Sequence, residues 1–419
     1  MGLFSILLTA SLAKADVCTL PVGYPFASTS PDTLSAAMAM NGFYDSVING
    51  PNGLVAIPFM GTEKVPPYSK SLFGAQLWDN QEWKTLTIDN TSQLTSWNNE
   101  PKFAFLGNKF YAFITASHAG NVSGVWMYSQ KPDGSFNPAL LIPGLSNIGA
   151  DIEDVYAAPA LNKIAALSWK FSQTFYTEIS TVLGGKIQTN PVLIASTPAP
   201  GRPYAVGIMS TGTPWILMLN KQGADSELYV LTKNPRGQWQ KSYTIAQERT
   251  GSIMNPIAVQ TPDANRPRIL FSWTHNYAEA GKLTASTFTR FLELPTAGTS
   301  GNLTAAIELK KFTEVTTSNA RTTNAAFRAD GLTGEIVLHD GENQKSYVAA
   351  IDGELVRSLV PFHPEKIFFT RPSLFFNPCG QGLIESRGLI NKTDPQKIFV
   401  EKLPTATVIQ PGPIPPQFE

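Results

Sequence analysis

The chain has 419 residues, with 32 Lys and Arg against 32 Asp and Glu, and only 15% of it is charged. A chain without net charge lacks the basic footprint of a nucleic-acid binder, so that class is set aside. One compact core rarely organises this length, which leaves several domains or one repeated architecture; 32 Gly, 32 Pro and 11% aromatic residues suit many short strands and turns better than long helices.

The chain opens with an apolar run, residues 3–12, followed by Ala13-Lys14-Ala15 and then Asp16. An A-x-A site after such a run is the pattern of a secretory signal peptide over residues 1–15, and it predicts a secreted or periplasmic protein. No Lys or Arg precedes the run; a buried N-terminal segment is the competing reading. No other stretch is apolar and long enough to span a bilayer, since residues 204–219 are interrupted by Gly207, Gly212 and Pro214. The two cysteines, Cys18 and Cys379, lie towards opposite ends. In an oxidising compartment they predict one disulfide tying the ends together, with two buried thiols as the alternative. They are too few for a cysteine metal cage, and neither metal nor cofactor is expected.

From residue 39 onward the chain repeats. A strand of small residues recurs as KFAFLG, VYAAPAL, PYAVGIM, PIAVQT, NAAFRA and SLFFNP. A second apolar strand recurs at 54–60, 109–117, 163–169, 215–220, 268–273, 335–339 and 382–386. A hairpin follows, clearest in ELYVLTKNPRGQWQKSY, residues 227–243. The large residue after its turn is Trp83, Phe136, Ile187 and Trp239 in successive copies, at steps of 53, 51 and 52 residues, with Leu355 about two steps further on. Asp133-Gly134, Gly184-Gly185, Arg236-Gly237 and Asp352-Gly353 supply the Gly or Asp that tight hairpins require.

Four strands per unit and about seven units make the chain resemble a β-propeller, the broad class that holds WD40, sialidase-like and lectin propellers. The resemblance covers roughly residues 39–405 and rests on the repeat. The Gly-His…Trp-Asp pattern of WD40 repeats and the S-x-D-x-G-x-x-W box of sialidases are both missing, so it implies an architecture and no family. It implies a single all-β domain over residues 39–408, with seven four-stranded blades at 39–95, 97–145, 150–198, 200–250, 252–314, 317–362 and 367–408. Residues 293–309 lengthen the fifth unit and read as a surface loop. Residues 16–38 would pack on the first and last blades, where Cys18 could reach Cys379. Residues 409–419 read as a Pro-rich flexible tail.

Candidate functional residues cluster at two places in the repeat. His118, His275 and His339 end the second strand of their units, and Lys170 ends another. In a propeller these positions open on one face and would form a partly basic ring, with histidines able to titrate near neutral pH. The bland alternative is that strand ends are wet and attract polar residues. The second place is the start of the inner strand, which carries Asp151, Glu153 and Asp154, with Glu100 one unit earlier. Strand alternation puts Asp151 and Glu153 on one side and Asp154 on the other. Paired carboxylates there could act as general acid and base; a solvated acidic loop is the alternative. Arg202, Arg321 and Arg371 precede or open other inner strands and could bind carboxylates, or serve in structural ion pairs. Trp97 lies in a loop and is the candidate for an exposed sugar-stacking ring.

No catalytic motif is evident. The sequence therefore points to an exported, monomeric binding module for a glycan, peptide or partner protein. Two alternatives stay open: a polysaccharide hydrolase or lyase using Glu100, Asp151 and Glu153, and a structural scaffold.

Overall fold

The computed structural model describes residues 24–25, 48–49, 54–65, 68–78, 83–89, 96–97, 101–118, 122–146, 151–170, 173–181, 187–194, 201–223, 225–261, 267–294, 301–316, 321–328, 330–343, 345–353, 355–357, 359–362, 367–368, 373–376, 380, 382–389 and 397–402. Apart from one short 3₁₀ turn, Pro159–Leu161, the regular structure described is strand. These strands form seven sheets of four or five strands, each built from neighbouring hairpins in chain order. The third sheet is representative, with Asp151–Ala158, Lys163–Lys170, Gln173–Thr181 and Ile187–Ile194 paired in succession.

The seven innermost strands lie side by side in a circuit. Ile48–Asn49 neighbours Lys102–Leu106, which neighbours Asp151–Ala158, followed by Arg202–Ile208, Ser252–Gln260, Arg321–Phe327 and Ser373–Phe376. Ser373–Phe376 then returns to lie beside Ile48–Asn49. Sheets radiating from such a circuit make a β-propeller. The last sheet takes its outermost strand from the other end of the chain: Tyr24 pairs with Val400 and Pro25 with Phe399. Cys18 and Cys379 both lie outside the described residues.

The apolar runs of the sequence follow from burial on both faces of each sheet. Successive side chains of a strand point to opposite faces. Ile164 and Ala166 therefore pack with Phe113, Val125 and Ile152 towards the second sheet. Ala165 and Leu167 pack with Val206, Ile216 and Met218 towards the fourth. The same division sends Leu217 and Leu219 onto Ile253, Ile269 and Phe271 of the fifth sheet. A sheet covered on both sides has no wet face, so it shows no polar alternation.

Small residues on the inner strands have a steric reason. A Cβ on Gly207 would lie 2.4 Å from the ring of Trp215, which is 1% exposed. Trp215 also ties two sheets: its Nε1–H donates to Gln260 Oε1 at 2.7 Å, and Gln260 Nε2 donates to the Ile208 carbonyl at 3.0 Å. Arginines bind neighbouring sheets through backbone carbonyls in the same manner. Arg268, fully buried, donates to the carbonyls of Gly331 and Gly353 at 2.8 and 2.9 Å. Arg328 reaches Gly380 at 2.8 Å and lies over the Phe376 ring.

The outer hairpins agree with the repeat in detail. Trp83, Ile187, Trp239 and Leu355 each begin a strand that pairs with the third strand of its sheet. The turns Lys131–Ser135 and Asn234–Gln238 are copies of one another. Gly134 and Gly237 adopt φ of 87° and 77° and donate back to Lys131 and Asn234, a left-handed conformation that glycine takes without steric cost. Three local expectations change. Phe136 forms only a bridge to Gln130, and the outer strand of the second sheet starts at Leu140. Leu355 is 71% exposed because Val360–Phe362 supplies most of the outer strand of the sixth sheet. Within residues 293–309, Asn302–Leu303 is not loop but pairs with Glu293 and Leu292.

Candidate functional site

Each inner strand starts beside the end of its second strand. Asp151 pairs with Trp169, Arg202 with Leu219, Ile253 with His275, and Arg321 with Asp340. Both groups of candidate residues therefore share one edge of the propeller, here called the leading face. Ser96–Trp97 reaches the same face by pairing with Ser117 and Ala116. His118 and Lys170 end their strands there, paired with Val122 and Gln173. The side chains of Trp97, His118 and Lys170 lie outside the described residues, as do Glu100 and Arg371 entirely.

Between the third and fourth sheets the leading face gathers charge. A bulge interrupts the third sheet: Ile152 pairs with Ser168, whereas Asp154 pairs with Leu167. The extra residue, Glu153, overrides the alternation expected from sequence. Ile152 packs towards the second sheet, while the acidic residues turn to the fourth. Asp154 Oδ2 accepts the Val206 backbone N–H at 2.9 Å. Arg202 Nη2 lies 3.4 and 3.3 Å from the two carboxylate oxygens of Glu153. The Arg202 guanidinium sits over the rings of Trp169 and Tyr204, 5.3 and 5.5 Å from their centroids. Glu153 keeps only 10% of its side chain exposed, whereas Arg202 keeps 50%.

All three carboxyls are pushed above their ordinary values. Burial is the main cause for Asp151, and the positive charge of Arg202 opposes it. Burial also dominates at Glu153, again opposed by Arg202 and then by Lys102. At Asp154 burial raises the value to about 6, against the pull of Lys102 and the Val206 N–H. Perturbed carboxyls gathered beside an exposed arginine mark a place where ligand charge would matter. Chemically, the arrangement offers guanidinium donors, carboxylate acceptors and two aromatic faces within one seam.

Three other candidates on the leading face, Arg321, His339 and His275, are held by neighbouring groups of the protein. Arg321 is 1% exposed and pairs with Asp340 at 3.3 Å and Glu342 at 2.6 Å. Burial works against the Glu342 charge, yet hydrogen bonds from Thr316 and the Arg321 guanidinium hold it down at about 2. His339, 4% exposed, has Nδ1 3.2 Å from Ser346 Oγ. Burial lowers it to about 4, outweighing Asp340; titration near neutral pH, expected from sequence, does not apply to this histidine. His275 is anchored by Nε2 to the Thr250 carbonyl at 2.7 Å, faces Glu248 at 3.6 Å and stacks on Tyr277. Of the candidates, Asp151, Glu153 and Arg202 come together, while Arg321, His275 and His339 occupy the fifth and sixth sheets. Neither Tyr204 nor Trp169 was among the residues singled out from sequence, yet both lie under the Arg202 guanidinium. Tyr204 lies two residues along the inner strand from Arg202, and Trp169 pairs with Asp151, the residue one repeat before Arg202; that spacing was the available signal.

No protein-family model matches the chain, and no curated protein matches it in sequence. Solved structures similar to it include a putative 6-phosphogluconolactonase from Bacteroides uniformis, 10% identical over 76% of this chain and 83% of that one, with a TM-score of 0.44. The Nup133 β-propeller domain of Vanderwaltozyma polyspora is 9% identical, over 79% and 91% of the two chains, with a TM-score of 0.44. A lectin of Aleuria aurantia is 10% identical, over 74% and 97%, with a TM-score of 0.37. At these identities and scores none of them assigns a family or a ligand; the chain is a β-propeller by the arrangement of its own sheets.

Proposed function

We propose that the protein is an exported binding module that takes a glycan on the leading face, at the seam of the third and fourth sheets. The observation that carries this is Arg202, half exposed while held by Glu153 and stacked over Trp169 and Tyr204. An arginine fixed in this way presents its remaining donors in one orientation, and less side-chain entropy is lost when a ligand binds. Sugars need such a mixture of planar donors, carboxylate acceptors and an apolar ring. A peptide or partner protein is the other ligand class for the same face. The leader at residues 1–15 and a Cys18–Cys379 bridge belong to this proposal, since export would provide the oxidising compartment.

The test is a glycan array run beside a peptide array with the full chain and an Arg202→Ala variant. A glycan hit that falls at least tenfold in the variant is expected. Binding of peptides alone would sink the glycan assignment, and silence on both arrays with an intact fold would favour a scaffold. A hydrolase or lyase is the second reading, favoured by the raised carboxyls of Asp151 and Glu153. Turnover of an array hit, abolished by Glu153→Gln, would establish it.

A further inference from the structure

A second group of polar residues reaches the leading face at the seam of the fourth and fifth sheets. In the fourth sheet Leu219 pairs with Leu228, and Leu228 with Ala246; all three pack in one cluster with Ile253, Ile269 and Phe271 of the fifth. Two residues nearer the leading face, and so on the same side of the sheet, the row reads Lys221, Ser226 and Glu248. Glu248 is taken up by the fifth sheet, its Oε2 lying 3.6 Å from His275 Nδ1. The other two residues meet no oxygen among the described residues. Lys221 Nζ touches the Met254 sulfur at 3.0 Å, and burial alone moves its pKa, downward, with no carboxylate opposing the shift. Ser226 is 2% exposed, and its Oγ is enclosed without a hydrogen-bond partner.

The sixth sheet shows the same position closed. There the penultimate pair before the turn is His339 and Ser346, with Nδ1 3.2 Å from Oγ. The penultimate pair of the fourth sheet is Lys221 and Ser226, and its two polar groups do not meet. A thioether is a weak acceptor, and an ammonium has donors only. An enclosed hydroxyl without a partner costs free energy that a ligand oxygen would recover. What both groups lack is the same thing, an acceptor, and a charged one gives the stronger hydrogen bonds. We infer that the seam of the fourth and fifth sheets holds a small-anion site, in which one oxyanion group, a carboxylate, phosphate or sulfate, accepts from Lys221 Nζ and Ser226 Oγ together. The site is separate from the glycan site. Arg202 turns to Glu153 and Trp169 of the third sheet, whereas Lys221 turns to Met254 of the fifth.

The experiment is a calorimetric titration of the full chain with inorganic phosphate, sulfate and acetate, in a buffer free of other oxyanions. It is repeated with Lys221→Ala, Ser226→Ala and Arg202→Ala. Lys221 and Arg202 are exposed, and Ser226→Ala removes a hydroxyl that bonds to nothing, so the unfolding midpoints should stay at the wild-type value. At least one of the three anions is expected to bind, and the anion that binds most tightly identifies the ligand group. Its affinity should fall at least tenfold in Lys221→Ala, severalfold in Ser226→Ala, and not at all in Arg202→Ala. Binding of none of the three, or binding retained in Lys221→Ala, would overturn the site. So would a loss in Lys221→Ala with Ser226→Ala unaffected, which is plain attraction to a surface charge. A loss in Arg202→Ala as large as in Lys221→Ala would place the anion at the other seam and overturn it too.

Discussion

Asp154 gives the sharpest handle on the seam that carries the site. Its carboxyl is raised from the ordinary 3.8 to about 6, chiefly by burial. Between those two values the folded protein holds a proton that the unfolded chain has released. Stability therefore falls as pH rises across this window, and the loss is complete above it. At 1.36 kcal/mol per pH unit the gap amounts to about 3 kcal/mol at most. The sixth sheet shows an uncharged solution to the same geometry: Asn324 Oδ1 accepts the Leu374 N–H at 3.2 Å. Asp154→Asn keeps an acceptor for Val206 and cannot ionise. Urea unfolding at pH 4 and pH 7 should show little difference from the wild type at the lower pH and a stabilised variant at the higher one. Asp151 and Glu153, raised in the same direction, leave part of the pH slope in place. A pH-independent difference between the proteins, or a variant less stable at pH 7, would refute the reasoning.

Other outcomes follow from packing and charge. Arg321→Ala leaves two carboxylates at the leading face of the sixth sheet without their buried cation; a loss of about 3–5 kcal/mol is expected in chemical denaturation. Gly207→Ala would set a methyl against the Trp215 ring and should cost about 1–3 kcal/mol by the same assay. Leu355→Asn alters a side chain that is 71% exposed, and the unfolding midpoint should stay within about 0.5 kcal/mol of the wild type. His339 should show no imidazole titration between pH 6 and 8 by NMR, because burial holds it at about 4.

The propeller was legible because its strands are buried on both faces. Stretches such as IAAL, residues 164–167, and WILML, residues 215–219, stay apolar at every position, and they recur with turn residues at a fixed spacing. The site was legible only in part. Asp151, Glu153 and Arg202 could be placed on one face, since the start of an inner strand and the end of a second strand must meet there. The bulge at Glu153 could not be foreseen, because slippage depends on pairing register and not on composition. That single residue decides which neighbour Asp154 faces. Arg321 and His339 show the converse difficulty. A polar residue at a strand end reads alike whether it is wet or enclosed, and only Asp340 and Glu342, directly after His339, hinted at an internal ion network.

The most direct test of the leading-face site compares two arginines on opposite edges of the same sheet. Arg202 opens the inner strand of the fourth sheet, and Arg236 is exposed in its outer turn at the far edge. Affinity for the strongest glycan-array hit, measured by calorimetry, should fall at least tenfold in Arg202→Ala and stay unchanged in Arg236→Ala. Equal losses in both variants, or a loss confined to Arg236→Ala, would contradict a binding site at the start of the inner strands.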